Sequence, residues 1–169
     1  SHYSRYGKDF MFVELSFPST NFQDYLTFRQ NNDRLESEGI LGASVPKPKP
    51  RGGKLVIVDW EKKEIVWETE APTPAGFVFE NEKYRVCDEL GDQVVTINSR
   101  GDVCSFISHP FFNYLHDIDR LNDRFLVTST GVDAILEFSR SGKLLFEWHA
   151  VLHGYTKTPT GITREIDFD

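Results

Sequence analysis

The sequence has little cysteine, no long apolar run and no N-glycosylation sequon. Its 169 residues include two cysteines and no Cys-x-x-Cys pair, so zinc coordination by cysteine is excluded. No apolar stretch approaches the roughly 18–20 residues of a membrane-spanning helix, and no signal-peptide core is present. These absences predict no interaction with a membrane and favour a cytoplasmic location.

The chain also lacks an excess of basic residues. Nineteen Lys and Arg stand against 26 Asp and Glu, which gives a net charge of −7. Because phosphate neutralisation dominates nucleic-acid affinity, this balance predicts no nucleic-acid partner. The one basic cluster lies in the proline-rich residues 45–54, which are typical of an extended, solvated linker; a docking site for a partner is the alternative.

The two cysteines, Cys87 and Cys104, both fall in predicted strands, with another strand between them. Two strand spacings are roughly 10 Å, which is too far for a disulfide. Both are therefore predicted to be buried, reduced thiols.

A repeat of 41 residues runs through the second half of the chain. Residues 81–108 align without a gap on residues 122–149, with nine similar positions besides the identical ones. The identical pairs are Asn81/Asn122, Val86/Val127, Asp92/Asp133 and Gly101/Gly142. Residues 54–68 repeat the last hairpin of this unit, and residues 10–17 are predicted to form another strand of the same earlier copy.

Each full copy predicts four short strands separated by Asn, Asp and Gly turn signals. Four strands per roughly 41 residues is the signature of β-propeller blades. The predicted fold class is all-β, an incomplete propeller of about three four-stranded blades with an irregular or short-helical insertion. The predicted division is blade 1 at about 10–70 with the insertion 18–53, blade 2 at about 75–108, blade 3 at about 115–149, and a tail, 150–169, toward a further blade.

Two hairpins, Leu55–Trp67 and Ala134–Trp148, resemble the blade hairpins of quinoprotein-like propellers. The stretch Leu115–Val127 (LHDIDRLNDRFLV) resembles the His-Asp blade opening of arylsulfotransferase-like propellers. The resemblance covers about residues 54–150 and implies a propeller fold. The glycine-rich cofactor-binding form of the quinoprotein repeat is not kept, so no bound quinone is predicted and the cofactor stays unknown.

The predicted site residues are His116 and Asp117, at the start of the innermost strand of blade 3. Inner strands line the central channel, where an imidazole beside a carboxylate can act as a general base. In the arylsulfotransferase-like family a channel histidine carries the sulfuryl group, and the resemblance maps that role onto His116. A structural role for His116, capping a turn or contacting a neighbouring blade, is the alternative.

Other candidate residues are predicted to be structural. His109, His149 and His153 lie near blade ends, and no shared metal site is predicted. The run Thr128–Gly131 is predicted to be strand and turn rather than a nucleophile elbow. Trp60, at a hairpin turn, is the aromatic ring that we expect to be exposed. Stacking of a sugar on an exposed ring is therefore an open alternative.

Three blades are fewer than the four to eight of a closed ring, so apolar faces are expected at both ends. We expect closure by a second copy, which would give about six blades, or by a complementary chain; a missing remainder of the same chain is the other possibility. The predicted function is ligand binding at the propeller mouth. The alternatives are an arylsulfotransferase-like enzyme and a carbohydrate-binding propeller.

Overall fold

The computed structural model describes residues 12–18, 26–27, 30–31, 33–34, 37, 52–157 and 161–163. Eleven strands in these residues form three antiparallel sheets. The first sheet contains β1 (Phe12–Pro18), β2 (Gly53–Asp59) and β3 (Glu64–Ala71). The second sheet contains β4 (Pro74–Glu80), β5 (Lys83–Asp88), β6 (Gln93–Asn98) and β7 (Val103–Ser108). The third sheet contains β8 (Leu115–Leu121), β9 (Arg124–Ser129), β10 (Ala134–Ser139) and β11 (Leu144–His149). None of the described helical residues belongs to a helix long and apolar enough to cross a membrane.

The sheets are arranged as propeller blades, which confirms the predicted fold class. Within the second and third sheets the strands are ordered as they occur in the chain, and the inner strands β4 and β8 lie side by side. The first sheet has three strands in the described residues, and β1 corresponds to β5 and β9. Glu14 on β1 accepts a hydrogen bond from the Tyr84 hydroxyl (3.1 Å) of the next sheet. At the corresponding place on β5, the Arg85 guanidinium lies 4.3 Å from the centre of the Phe125 ring.

The conserved positions of the repeat are those where the backbone or the packing allows few residues. Three of the four identical pairs have positive φ, the region that Gly, Asn and Asp enter most readily. These are Asn81 and Asn122 (φ 48° and 57°), Asp92 and Asp133 (51° and 47°), and Gly101 and Gly142 (90° and 85°). The fourth pair, Val86 and Val127, is fully buried. The repeat therefore records turn geometry and packing.

The apolar core lies in the seams, the interfaces between neighbouring sheets. The first seam, between the first and second sheets, buries Leu55, Ala71, Tyr84, Val86, Val95 and Ile97. The second seam, between the second and third sheets, buries Val78, Cys87, Val94, Phe112, Leu115, Ile118, Phe125, Val127, Ala134, Leu136 and Phe138. Each sheet is thus stabilised mainly by the sheet next to it.

The predicted insertion connects β1 to β2. Helical backbone is found at residues 26–27, 30–31, 33–34 and 37, partly in the region expected to be irregular. The capping residues predicted for a helix start, 19–21, and most of the basic, proline-rich segment, 45–51, lie outside the described residues.

One of the two cysteine predictions is wrong. Both thiols are free, and β6 separates their strands as expected. Cys87 is fully buried, and burial, with the nearby Asp117 and Asp88 charges, raises the pKa of its thiol. Cys104 is exposed, because it lies on the outermost strand of its sheet, where the neighbouring sheets do not reach.

The inner strands β4 and β8 approach each other closely at Gly76. A Cβ atom at this position would lie 2.6 Å from the Asp117 Cα and 2.9 Å from the His116 carbonyl oxygen. We expect Gly76→Ala to lower the free energy of unfolding by about 2–3 kcal/mol, since the two strands must separate. Urea denaturation measures this change.

The matched control is Gly154→Ala, where no heavy atom lies within 4 Å and only the positive φ opposes a side chain. Its cost should be about 1 kcal/mol. A Gly76→Ala protein no less stable than this control would contradict the close approach of β4 and β8.

Candidate functional site

The antiparallel strands give the blades two chemically different ends. At the mouth end lie the connections 72–73, 89–92, 109–114 and 130–133, which follow β3, β5, β7 and β9. At the far end lie the hairpin turns 60–63, 81–82, 99–102, 122–123 and 140–143. The inner strand β8 begins at the mouth end, so His116 lies there.

The His116 imidazole lies beside a carboxylate at the mouth end. Its Nε2 lies 3.5 Å from Glu89 Oε1 of the second sheet, and its side chain is exposed whereas that of Glu89 is mostly covered. The pair spans the second seam at the innermost strand. The arrangement holds an accessible imidazole beside a carboxylate, a pairing that can orient the ring for proton transfer or for binding a polar ligand.

Glu89 is the residue that the sequence did not assign to the site. It belongs to a blade different from that of His116, 27 positions earlier in the chain. An acid in the connection after β5 can be recognised only once the blades are placed next to each other. The one feature of the sequence that could have indicated Glu89 is its position directly after the second strand of a repeat.

Asp117, the second predicted site residue, has its carboxylate next to the backbone. Its Oδ1 accepts a hydrogen bond from the Ile118 amide (2.9 Å) and lies where a side chain at Gly76 would be. Its own amide donates to Thr128 Oγ1 (2.9 Å). These contacts place Asp117 against β4. The carboxylate that lies beside the His116 ring is that of Glu89.

Buried polar residues fix the loops around this pair. Asp88, fully buried, accepts hydrogen bonds from the Thr73 hydroxyl (2.5 Å), the Gly91 amide (3.1 Å) and the Gln93 side-chain amide (2.9 Å). The Glu89 amide also donates to the Thr73 carbonyl (2.9 Å), so these contacts join the connection after β5 to the connection before β4 and hold Glu89 in place.

Ser129 has the corresponding role one repeat later, 41 residues after Asp88. Its hydroxyl donates to the Phe111 carbonyl (2.6 Å) and accepts from the Asn113 amide (2.8 Å). Thr128 and Ser129 end β9, and a short 3₁₀ helix, Thr130–Val132, follows. The run Thr128–Gly131 is thus strand and turn, as predicted.

The four mouth connections that the structure describes carry acidic residues and no fixed positive charge. Asp88, Glu89, Asp92 and Asp133 lie in or beside them, while residues 72–73, 89–92, 109–114 and 130–133 contain no Lys or Arg. Among the described residues, no group of three or more His, Cys, Asp or Glu is placed to hold a metal ion.

The other three histidines in the described part of the chain lie among aromatic rings. His109 and His149 both contact Phe111, with ring centres 5.5 Å and 4.9 Å apart, at the outer part of the second seam. His153 stacks on Trp148, with ring centres 5.0 Å apart. These three side chains pack on aromatic rings, in agreement with the structural role predicted for them.

Trp60 is exposed at the far end, as expected, but one face of its ring is occupied. The Lys63 ammonium lies 3.7 Å from the ring centre, in cation–π geometry. A sugar stacking on that face would have to displace the ammonium.

No protein-family model matches the sequence, and no curated protein matches it either. Among solved structures, the fold is similar to a protein of unknown function from Bacteroides caccae, with a TM-score of 0.50 and 14% identity over 59% of this chain and 39% of that one. It is also similar to hydrazine synthase of Kuenenia stuttgartiensis, with a TM-score of 0.49 and 14% identity over 57% of this chain and 29% of that one. A third is virginiamycin B lyase from Staphylococcus aureus, with a TM-score of 0.44 and 15% identity over 61% of this chain and 40% of that one.

Each of these matches covers less than half the length of the solved chain, and at such identities the likeness concerns the fold alone. The repeated sheets and the adjacent inner strands identify this chain as a set of β-propeller blades. The finer resemblance, to the quinoprotein-like and arylsulfotransferase-like groups, stays a prediction.

The half-buried His109 makes the fold sensitive to acid. Burial lowers the pKa of His109, although the Glu147 charge acts in the opposite direction. A histidine with a lowered pKa in the folded state stabilises the fold above its unfolded value of about 6.5. We therefore expect its contribution to stability to be lost as the pH falls below about 6.5, which urea denaturation at pH 7.5 and pH 5 measures.

The matched control is His109→Gln, which keeps a polar side chain that does not titrate in this range. The loss of stability between the two pH values should be smaller in the variant than in the unmodified protein. An equal loss in both proteins would show that His109 does not contribute to the acid sensitivity.

Proposed function

We propose that these blades form part of a closed propeller ring, completed by a second copy of the chain, and that the ring binds a small ligand at its mouth. The observation that carries the closure is a difference in burial at one repeated position. Leu55, Val94 and Ile135 occupy equivalent positions in the three sheets. They pair with Thr69, Ile107 and Trp148, respectively, on the next strand of their own sheet. Leu55 and Val94 are 1% and 2% exposed, and Ile135 is 40% exposed.

The difference follows from what lies next to each sheet. Leu55 is covered by the second sheet and Val94 by the third, whereas Ile135 faces away from the second seam. The third sheet thus carries the apolar pattern of a covered face. Covering an isoleucine side chain contributes about 1.5–3 kcal/mol, so a neighbouring sheet here would be stabilising.

The first sheet offers the matching surface. Leu15 and Phe17 on β1 are exposed, although the corresponding residues of β5 and β9 are fully buried against the preceding sheet. Each copy therefore presents one face of each kind, and two copies can join through two equivalent contacts. Six blades lie within the range of closed propellers.

Ile135→Asp tests the closure. A carboxylate without a partner in the proposed interface costs about 3 kcal/mol or more, which weakens association by roughly 100-fold or more. Sedimentation equilibrium should give about twice 19.5 kDa for the unmodified protein and 19.5 kDa for the variant.

The control is Val103→Asp, at an exposed apolar residue on the outermost strand of the middle sheet. This variant should keep the mass of the assembly. An unmodified protein that sediments as a single copy would refute closure by self-association, and co-purification with a different chain in a fixed ratio would indicate a complementary partner instead.

The ligand proposed for the mouth is a cationic or a neutral, hydroxyl-bearing small molecule. This choice is supported by the His116–Glu89 pair and by the lack of Lys and Arg in the four mouth connections. At these four described connections an anionic ligand would meet carboxylates and one imidazole, and like charges repel. His116 would donate or accept a hydrogen bond, and Glu89 would orient it.

Titration with 1,4-diaminobutane tests the charge preference of the mouth. We expect saturable shifts of the His116 ring signals in NMR spectra, and at least tenfold weaker binding for Glu89→Gln, because a charge-assisted contact is lost. Glu61→Gln, at a far-end turn, is the control and should bind normally. Equal or tighter binding of inorganic sulfate, measured by the same His116 ring signals, would contradict the proposal.

An enzyme of the arylsulfotransferase-like type is the second candidate, and the accessible imidazole of His116 beside Glu89 favours it. Transfer of a sulfuryl group develops negative charge, which enzymes stabilise with cationic donors or amides. Because the mouth connections carry acids, the binding function is preferred. Loss of a measured sulfotransfer activity in His116→Ala, with the assembly intact, would reverse this order.

A further inference from the structure

Three arginines converge on one buried glutamate at the far end of the second seam. Glu80, the last residue of β4, is buried, and its Oε1 accepts hydrogen bonds from Arg120 (3.4 Å) and Arg140. Arg85 donates to the Arg140 carbonyl oxygen (3.4 Å). The side chains of Arg120 and Arg140 are about half exposed, at 52% and 46%.

The charges in this cluster do not balance. Three guanidinium groups lie near a single carboxylate, and within the described part of the chain Arg120 and Arg140 both form their ion pairs with Glu80. Burial lowers the pKa of Arg85, the Glu80 charge raises it and the Arg140 charge lowers it. The cluster thus has an excess of about two positive charges in a protein whose net charge is −7.

The two exposed guanidinium groups are also held in position with donors to spare. Each guanidinium has five N–H groups, and each uses one on Glu80 Oε1. Binding to the same oxygen brings the two groups within reach of one anion. Because they are half exposed, their remaining donors are accessible to a ligand.

The propeller repeat does not require this cluster. At the first seam, the residue corresponding to Arg85 is Glu14, and Tyr84 packs there on Trp67 with ring centres 5.3 Å apart. At the first seam, an aromatic stack and one hydrogen bond therefore lie beside the apolar core where the second seam has Arg85. The arginines are an addition to the second seam.

We propose that this arginine cluster binds a doubly charged tetrahedral oxyanion, a phosphate or a sulfate, at the end of the blades opposite the mouth. Guanidinium groups bind such anions in two-point geometry, and a dianion would neutralise the excess charge. His116 and Arg120 are four residues apart on β8, about 13 Å along the strand, so this site is separate from the mouth.

The test is an NMR titration of the unmodified protein at constant ionic strength, following the arginine Nε–H signals. Inorganic phosphate, sulfate and glycerol 2-phosphate are the probes, and acetate is the singly charged comparison. We expect saturable shifts at Arg120 and Arg140 with the dianions, and at least tenfold weaker binding of acetate. Preference for glycerol 2-phosphate over phosphate would indicate a phosphate ester as the natural source.

Arg120→Gln and Arg140→Gln should each weaken phosphate binding about tenfold or more. Arg124→Gln is the matched control, because Arg124 is also half exposed and pairs with Glu137 outside the cluster. If the glutamine variants unfold, Arg120→Lys keeps the charge beside Glu80 and should still bind more weakly, since the planar fork is lost.

The absence of saturable shifts in the unmodified protein would overturn the proposal. Equal binding of acetate and phosphate would also overturn it, as would unchanged affinity in Arg120→Lys. The mouth ligand and ring closure are measured separately, so failure here leaves those proposals standing.

Discussion

Packing between neighbouring sheets is the interaction on which the rest of the structure depends. The core is divided between two seams, and within each seam the side chains of one sheet fill the face of the next. Burying a large apolar side chain contributes about 1.5–3 kcal/mol, more than the roughly 1 kcal/mol net of a hydrogen bond in a turn. The difference between Val94 and Ile135, buried and exposed at the same repeated position, shows that a neighbouring sheet, rather than the blade itself, decides burial.

The same antiparallel arrangement separates the chemistry of the two ends. Identical residues with positive φ recur at both ends, Asn81 and Gly101 with their repeats at the far end and Asp92 with its repeat at the mouth end. The mouth connections between sheets differ in length, since one covers residues 72–73 and the next covers residues 109–114. The candidate ligand site, His116 with Glu89, lies at the mouth end, and Arg120 is at the other end of the same inner strand.

The sequence was sufficient to predict the blades, because the constraints that define them are local. Asn81 and Asp92 recur 41 residues later since the turns allow few residues there, and nearly continuous runs of β-branched and aromatic residues mark the strands between them. What the sequence did not reveal depends on contacts between blades. Glu89 belongs to the candidate site because it lies beside His116, which is 27 positions away in the chain. Cys104 is exposed because adjacent sheets do not reach the outermost strand. The residue pattern within one blade predicts neither the contact of Glu89 nor the exposure of Cys104.

The outer half of the seam distinguishes the two partners that could complete the ring. At the first seam, the Gly101 turn packs so closely on Thr69 that an added Cβ would lie 2.4 Å from its hydroxyl oxygen. Trp148 occupies on the third sheet the position that Thr69 occupies on the first. A neighbouring blade with a glycine at this turn would therefore place the turn backbone, without a side chain, against the Trp148 indole. The first sheet of a second copy instead carries Lys63 at the positive-φ position of its turn, with the ammonium over Trp60. In the proposed ring, a second copy would therefore form a different, cation-and-aromatic contact at the outer strands, whereas a complementary chain with a glycine turn would repeat the contact of the first seam there.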